Sequence, residues 1–266
     1  MPLKIPKSIR SYIDSDKSKE QVCISTKKAY ERLTGEMIDV SIIMPAYNES
    51  SNILRALCSL SNNLTNLGVE IIVVNNNSID DTATLAQACG VSCINVPEQG
   101  ITHARNGGLK IARGKYILNA DADVVYPEYW IEEMVQPLMN DLNVALTYGR
   151  FSFIPIGSIG RNVYYIYEFF SQLSRRYNAQ VKDEAVNVYG FNSGFRKEQG
   201  LAVGGFDHPI GTNEDGYLAL KLRKAGYGRL HDVNVVKARV WTTDRRILID
   251  GGLLKATLHR LKRILS

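Results

Sequence analysis

The chain has 266 residues, of which 45% are hydrophobic, and a formal net charge of +5. That length predicts one large domain, or one domain with an appendage, around a sizeable apolar core. The mild positive charge is compatible with anionic ligands and excludes nucleic-acid binding as the main role, while no apolar run reaches the length of a membrane span.

The first residues, "MPLKIPKSIRSYIDSDKSKE", lack the apolar centre of a signal peptide, so a cytoplasmic protein is expected. Residues 1–37 read as a polar N-terminal extension with one short helix around Lys27 to Leu33. From Val40 the pattern changes to apolar bursts alternating with amphipathic stretches. "VSIIMPA" is a buried strand, followed by Ile53, Leu54, Leu57 and Leu60 at helical spacing. "VEIIVVN" is a second strand, and its helix is expected to use Ser78 as N-cap, Asp81 three residues on, and Gly90 as its stop. "VSCINV" is a third strand. The helix from Ile101 to Ala112 is weakened by Gly107 and Gly108. "KYILNA" is the fourth strand, Pro127 opens the next helix, and "VALTYG" is the fifth strand. Four cysteines, Cys23, Cys58, Cys89 and Cys93, lack C-x-x-C spacing and are expected as buried free thiols in a reducing compartment.

Strand and helix alternate to about residue 150, which predicts an α/β fold with a doubly wound, mostly parallel sheet. After that come an aromatic-rich helix, "RNVYYIYEFFSQLSRRYN", a glycine-punctuated stretch, and an amphipathic helix opened by Glu214-Asp215. A basic helical tail, residues 241–266, closes the chain. Residues 38–240 are read as one domain, with a ligand-binding half to about 150 and a second half built onto the same sheet.

Open α/β sheets bind ligands beyond the carboxyl ends of their strands. Three polar clusters fall there: Pro45-Ala46-Tyr47-Asn48-Glu49, Asn75-Asn76-Asn77-Ser78-Ile79-Asp80, and Asp121 with Asp123. Two carboxylates one residue apart repel unless a cation sits beside them, and Mg²⁺ or Mn²⁺ suits few carboxylates plus substrate phosphates. Each cluster is also compatible with an ordinary turn or helix cap. Asp14-Ser15-Asp16 shares the spacing in a polar segment where no site is expected.

The ordered set P-A-Y-N-E, V-V-N-N-N-S-I-D-D-T, G-I-T-H-A-R-N-G-G-L-K-I-A-R-G, D-A-D and N-E-D resembles the family 2 glycosyltransferases of GT-A fold, from about Val40 to Tyr227. The resemblance implies sugar transfer from a nucleotide-sugar donor to an acceptor hydroxyl, with inversion and a divalent metal. It implies that Pro45, Tyr47 and Glu49 line the base and ribose pocket, that Asn75, Asn77 and Ser78 bound it, and that Arg105 lies close by. It further implies Asp121 at the ribose or metal, Asp123 as metal ligand, and Asp215 as general base.

Two departures stand out. Many members of the family have aspartates where this chain has Asn75 and Asn76. An asparagine amide both donates to and accepts from a uracil or thymine edge, so an Asn75 that reads the base favours a UDP- or dTDP-sugar over a GDP-sugar. The Q-x-x-R-W motif of processive synthases is absent. "TTDRR" stands near that place, and its Arg245 and Arg246 are read either as a donor-diphosphate clamp or as a solvated helix start. The alternatives are a sugar-nucleotide pyrophosphorylase, whose glycine-rich phosphate loop is replaced here by "PAYNESSN", and a non-catalytic binding protein on the same scaffold. The acceptor is expected to be a glycan or a lipid-linked group. The aromatic helix and the tail, with Leu254, Leu258, Leu261 and Ile264 near one side, are compatible with peripheral membrane contact, and equally with packing on the domain or self-association.

Overall fold

The computed structural model describes residues 2–249, 251–253 and 255. Its main sheet begins with β1 (Val40–Ala46), β2 (Val69–Asn75), β3 (Ser92–Asn95) and β4 (Tyr116–Asn119), and adds β6 (Val144–Gly149), β8 (Ser193–Arg196) and β9 (Arg229–Val233) in the order β3-β2-β1-β4-β8-β6-β9. All residues of β1 and β2 are buried, as expected for strands covered on both faces, and this is why they read as unbroken apolar runs. β1 sends Ile42 and Met44 to one core and Ile43 to the other.

The register fixes where ligands are met. Ala46 pairs with Asn75, Asn75 with Asn95, and Ile43 with Asn119, so β1 to β4 end at one edge. β8 runs antiparallel to both β4 and β6, so β6 points the same way as β4 and also ends there. The chain is therefore an α/β fold with a mostly parallel sheet, as expected.

Helices α3 (Ile53–Ser61), α4 (Thr82–Ala88) and α6 (Trp130–Asn140) cover the first core, and α5 (Ile101–Ile111) and α9 (Glu214–Lys224) the second. The two glycines that weaken α5 as a helix let it pack closely. A Cβ at Gly108 would collide with the Ile43 side chain on β1, and one at Gly107 with Val96.

The N-terminal segment is more ordered than its polarity suggested. It forms α1 (Lys7–Ile13) and α2 (Lys19–Tyr30), and the Ser18/Gln21 pair at the start of α2 is a capping box. Cys23, Tyr30 and Leu33 belong to the first core, and the Ile71 amide of β2 donates to the Tyr30 hydroxyl at 3.0 Å. A second sheet of β5 (Val124–Val125), β10 (Val240–Thr243) and β7 (Phe151–Ile154) was not expected. β10 brings α10 (Arg245–Ile249) to the ligand edge. The aromatic-rich helix is α7 (Arg161–Val181), and α8 (Lys197–Ala202) follows β8. Among the described residues no helix is long and apolar enough to cross a membrane. The four cysteines are free, Cys23 and Cys89 fully buried and the other two half-buried.

Candidate active site

The loops after β1 and β2 are laced together by short polar side chains. Asn48 and Asn77 hold left-handed backbone, with φ of 52° and 66°, a conformation asparagine tolerates better than most residues. The Asn48 amide donates to Ser78 Oγ at 3.0 Å, and Asn48 Oδ1 accepts from the Ile79 amide at 2.9 Å. Ser78 is thus not the N-cap of α4, which starts at Thr82 after Asp81. Asp80, the last residue of the second polar cluster, accepts from the Ser50 and Thr82 amides at 3.0 Å each. Slight burial works against its charge, but the bonds from Thr82 and Ser50 outweigh this and hold its carboxyl down at about 2.

The asparagines after β2 have defined duties. Asn76 is 4% exposed; its amide nitrogen donates to the Val96 and Glu98 carbonyls and its oxygen accepts from the Gly100 amide, so it braces the entry to α5. Asn75 accepts from the Ser78 amide at 3.1 Å and donates to Asn95 Oδ1 at 2.8 Å. Tyr47 is 53% exposed at the rim and Pro45 is buried at the end of β1.

Across the edge lie two arginine-centred arrays. Arg105, on α5 and 1% exposed, donates to Asp121 Oδ1 at 3.0 Å and lies 3.5 Å from Asp215 Oδ1 through Nε. Burial opposes its charge, while Asp215 and Asp121 keep the guanidinium protonated. Asp215, held at the first turn of α9, is 5% exposed. Burial raises its carboxyl to about 7; Arg105 pulls the other way and Glu214 adds to the rise. Asp215 Oδ1 accepts no hydrogen bond. Gly190 packs against this pair so closely that any Cβ there would strike both Arg105 and Asp215. The Tyr126 hydroxyl accepts from the Asp121 amide at 2.8 Å and lies 3.2 Å from the Phe191 carbonyl, tying the end of β4 to the Gly190 segment.

In the second array, Arg245 of α10 reaches Glu49 Oε1 at 2.6 Å and Asp123 Oδ2 at 3.1 Å. Asn52 donates to Glu49 Oε2 at 2.7 Å and accepts from Arg55, so Glu49 is fixed on both sides. The predicted site residues with described side chains therefore lie at this edge, on strand ends (Pro45, Asn75), on the loops that follow them, and on α5, α9 and α10. The Arg246 side chain and the tail residues Leu254, Leu258, Leu261 and Ile264 lie outside what is described. Tyr126 and Gly190 were missed because their roles come from contacts that spacing does not show.

Asp121 and Asp123 offer hard oxygen donors, and Arg245 places a positive charge between Glu49 and Asp123. Among the described residues no group of three or more His, Cys, Asp or Glu encloses a metal. Two carboxylates at this edge fit a divalent ion that phosphate oxygens would complete.

The model of the family described as Glycosyl transferase family 2 matches residues 41–199. Succinoglycan biosynthesis protein ExoA of Rhizobium meliloti is 26% identical over 78% of this chain and 62% of its own length. Dolichol-phosphate mannosyltransferase of Pyrococcus furiosus is 32% identical over 40% of this chain and 32% of its own. Among solved structures, the mannosyltransferase PcManGT of Pyrobaculum calidifontis, in complex with GDP-Man and Mn²⁺, aligns with a TM-score of 0.57 at 19% identity, covering 84% of this chain and 68% of that one. S. aureus TarS 1–349, in complex with UDP, aligns with a TM-score of 0.56 at 17% identity, covering 77% and 60%. The chain thus spans 62% of the first of these curated relatives and about a third of the second.

Proposed function

We propose, from the premise that the chain belongs to glycosyl transferase family 2, that it moves a sugar from a nucleotide-sugar donor to an acceptor hydroxyl with inversion. The observation that carries this reading is Asp215: a buried carboxyl raised to about 7, with an oxygen free of hydrogen bonds, beside Arg105 and Asp121. A group of that kind removes a proton from a hydroxyl near neutrality.

The donor would lie along the β1 and β2 loops, with Pro45, Tyr47 and Glu49 on one side of the base and ribose and Asn75, Asn77 and Ser78 on the other. Asp121 and Asp123 would hold Mn²⁺ or Mg²⁺, which as a Lewis acid neutralises charge on the departing diphosphate. The Mn²⁺ in the complex of the solved mannosyltransferase supports a divalent ion for this fold. Arg245 would exchange Glu49 and Asp123 for diphosphate oxygens, a geometry that suits its planar fork. Asp215 would take the acceptor proton on the opposite face of the sugar, with Arg105 holding it in place and Gly190 leaving room. Asn75 favours a UDP-sugar. A role in glycan or polysaccharide synthesis is supported by the likeness to the succinoglycan protein.

The test is release of free nucleotide across a panel of UDP-, dTDP- and GDP-sugars with Mn²⁺ and glycan or lipid-linked acceptors. Turnover with a UDP-sugar that rises on adding acceptor is the expected result. No release from any donor, or tighter binding of GDP than UDP in calorimetry, would count against the reading or its base preference respectively.

A further inference from the structure

A small cavity lies where β7 meets α7 and the residue that precedes β10. Arg150, Arg175 and Arg239 line it together with Glu168, Phe151 and Gln172, and it is partly enclosed, with a volume of about 20 Å³. Arg150 follows Gly149, the last residue of β6, so the cavity stands toward the same sheet edge as Asp121. Phe151 packs edge-on against Tyr189 and Phe191, at 5.5 and 5.2 Å between ring centres, and these two flank Gly190 beside Asp215.

The charges around this cavity do not balance. Four guanidinium groups gather here against two carboxylates. Arg161 takes both oxygens of Glu168 at 2.8 Å. Arg150 takes both oxygens of Asp232, at 3.3 and 2.6 Å, and Arg175 reaches Asp232 only at 3.6 Å. Arg239 forms no salt bridge among the described residues. It is 5% exposed, its Nη1 makes one 3.3 Å bond to the Phe151 carbonyl, and its Nε has no partner. Arg175 Nη2 also lacks a hydrogen bond. Burial and the neighbouring arginines push the Arg239 guanidinium down, with Glu168 only partly opposing them.

A buried cation without an anion is costly, and a group left so is stabilised by whatever oxyanion reaches it. Glu168 cannot serve: it already accepts from Arg161, Ser152 and the Phe153 amide. The volume holds one or two waters, so it suits the oxygens of one small group and not a sugar ring or a base. We propose that this arginine cavity is a subsite for an oxyanion, phosphoryl or carboxyl, carried by the acceptor. Guanidinium nitrogens of Arg239 and Arg175 grip its oxygens, and the Tyr189 and Phe191 rings span from there to Asp215. The acceptor assignment rests on the proposed transfer function; anion binding by the cavity does not.

Thermal unfolding of the full chain in inorganic phosphate, against chloride of equal ionic strength, tests the site without turnover. Phosphate should raise the midpoint of the unaltered protein by ~5 °C at saturation, and Arg239→Gln should abolish the rise. Asp123→Ala, on the donor side, should keep it. Should Arg239→Gln fail to fold, Gln172→Glu, on the half-buried face of α7, places a carboxylate at the cavity and should equally abolish the rise. No rise in the unaltered protein, or an equal rise in these variants, would overturn the site. Inorganic phosphate should also raise the KM of the acceptor; stabilisation without such competition would assign the cavity to a free anion and overturn the acceptor link. Absence of sugar transfer would defeat the proposed function while leaving the phosphate shift intact.

Discussion

Asp215 sits among opposing influences, with burial and Glu214 raising its carboxyl and Arg105 lowering it, and the balance falls at about 7. The turnover number should therefore climb as pH rises through about 7, because only the ionised form accepts a proton. The same shift bears on stability. The folded value lies above the ~3.9 of an unfolded aspartate, so this carboxyl's contribution is fully present below that value and lost as pH rises through about 7. Asp215→Asn keeps shape but removes the basic oxygen; turnover should fall on the order of a hundred-fold and nucleotide affinity should hold. A steady-state pH profile paired with calorimetry separates these outcomes, and weakened nucleotide binding would make Asp215 a donor-site residue instead. At this scale the sequence showed which acids lie at strand and helix ends. It did not show that Arg105 joins Asp121 to Asp215, or that Arg245 reaches back to Glu49, because those pairs form only once distant elements meet.

The elements that position these residues were legible to unequal degrees. β1 and β2 stand out as unbroken apolar runs because both of their faces are covered. β5, β7 and β10 are two to four residues long and pair across distant parts of the chain, leaving little periodicity to read. α2 carried its signal in Ser18 and Gln21, which polarity nearby obscured. In α5, Gly108 looks like a helix defect until Ile43 is seen against it. Gly108→Ala should gain helix propensity yet lose stability, because the added methyl overpacks the contact with β1. A net loss of about 1–3 kcal/mol in urea unfolding is expected, and unchanged or greater stability would show that α5 can shift away at little cost. Such a shift would also move Arg105.

At the scale of the whole molecule, α7 carries an apolar face that the core leaves uncovered. Along α7, Val163, Ile166, Phe170, Leu173 and Tyr177 are all at least 40% exposed, at spacings of three and four residues. This is the aromatic helix for which the sequence left membrane contact, packing on the domain or self-association open. In flotation with anionic liposomes at low salt, Phe170→Glu should reduce any bound fraction, since a buried charge opposes insertion; equal flotation of both proteins would free α7 from that role. The central claim concerns the site where Asp123 meets Arg245. Calorimetric titration of UDP, with and without Mn²⁺, into the unaltered chain and Asp123→Ala tests it most directly. UDP should bind the unaltered chain more tightly with Mn²⁺, by tenfold or more on the order of a direct ligand's contribution, and the variant should lose that dependence. Equal Mn²⁺-dependent binding by both proteins would contradict the site described here.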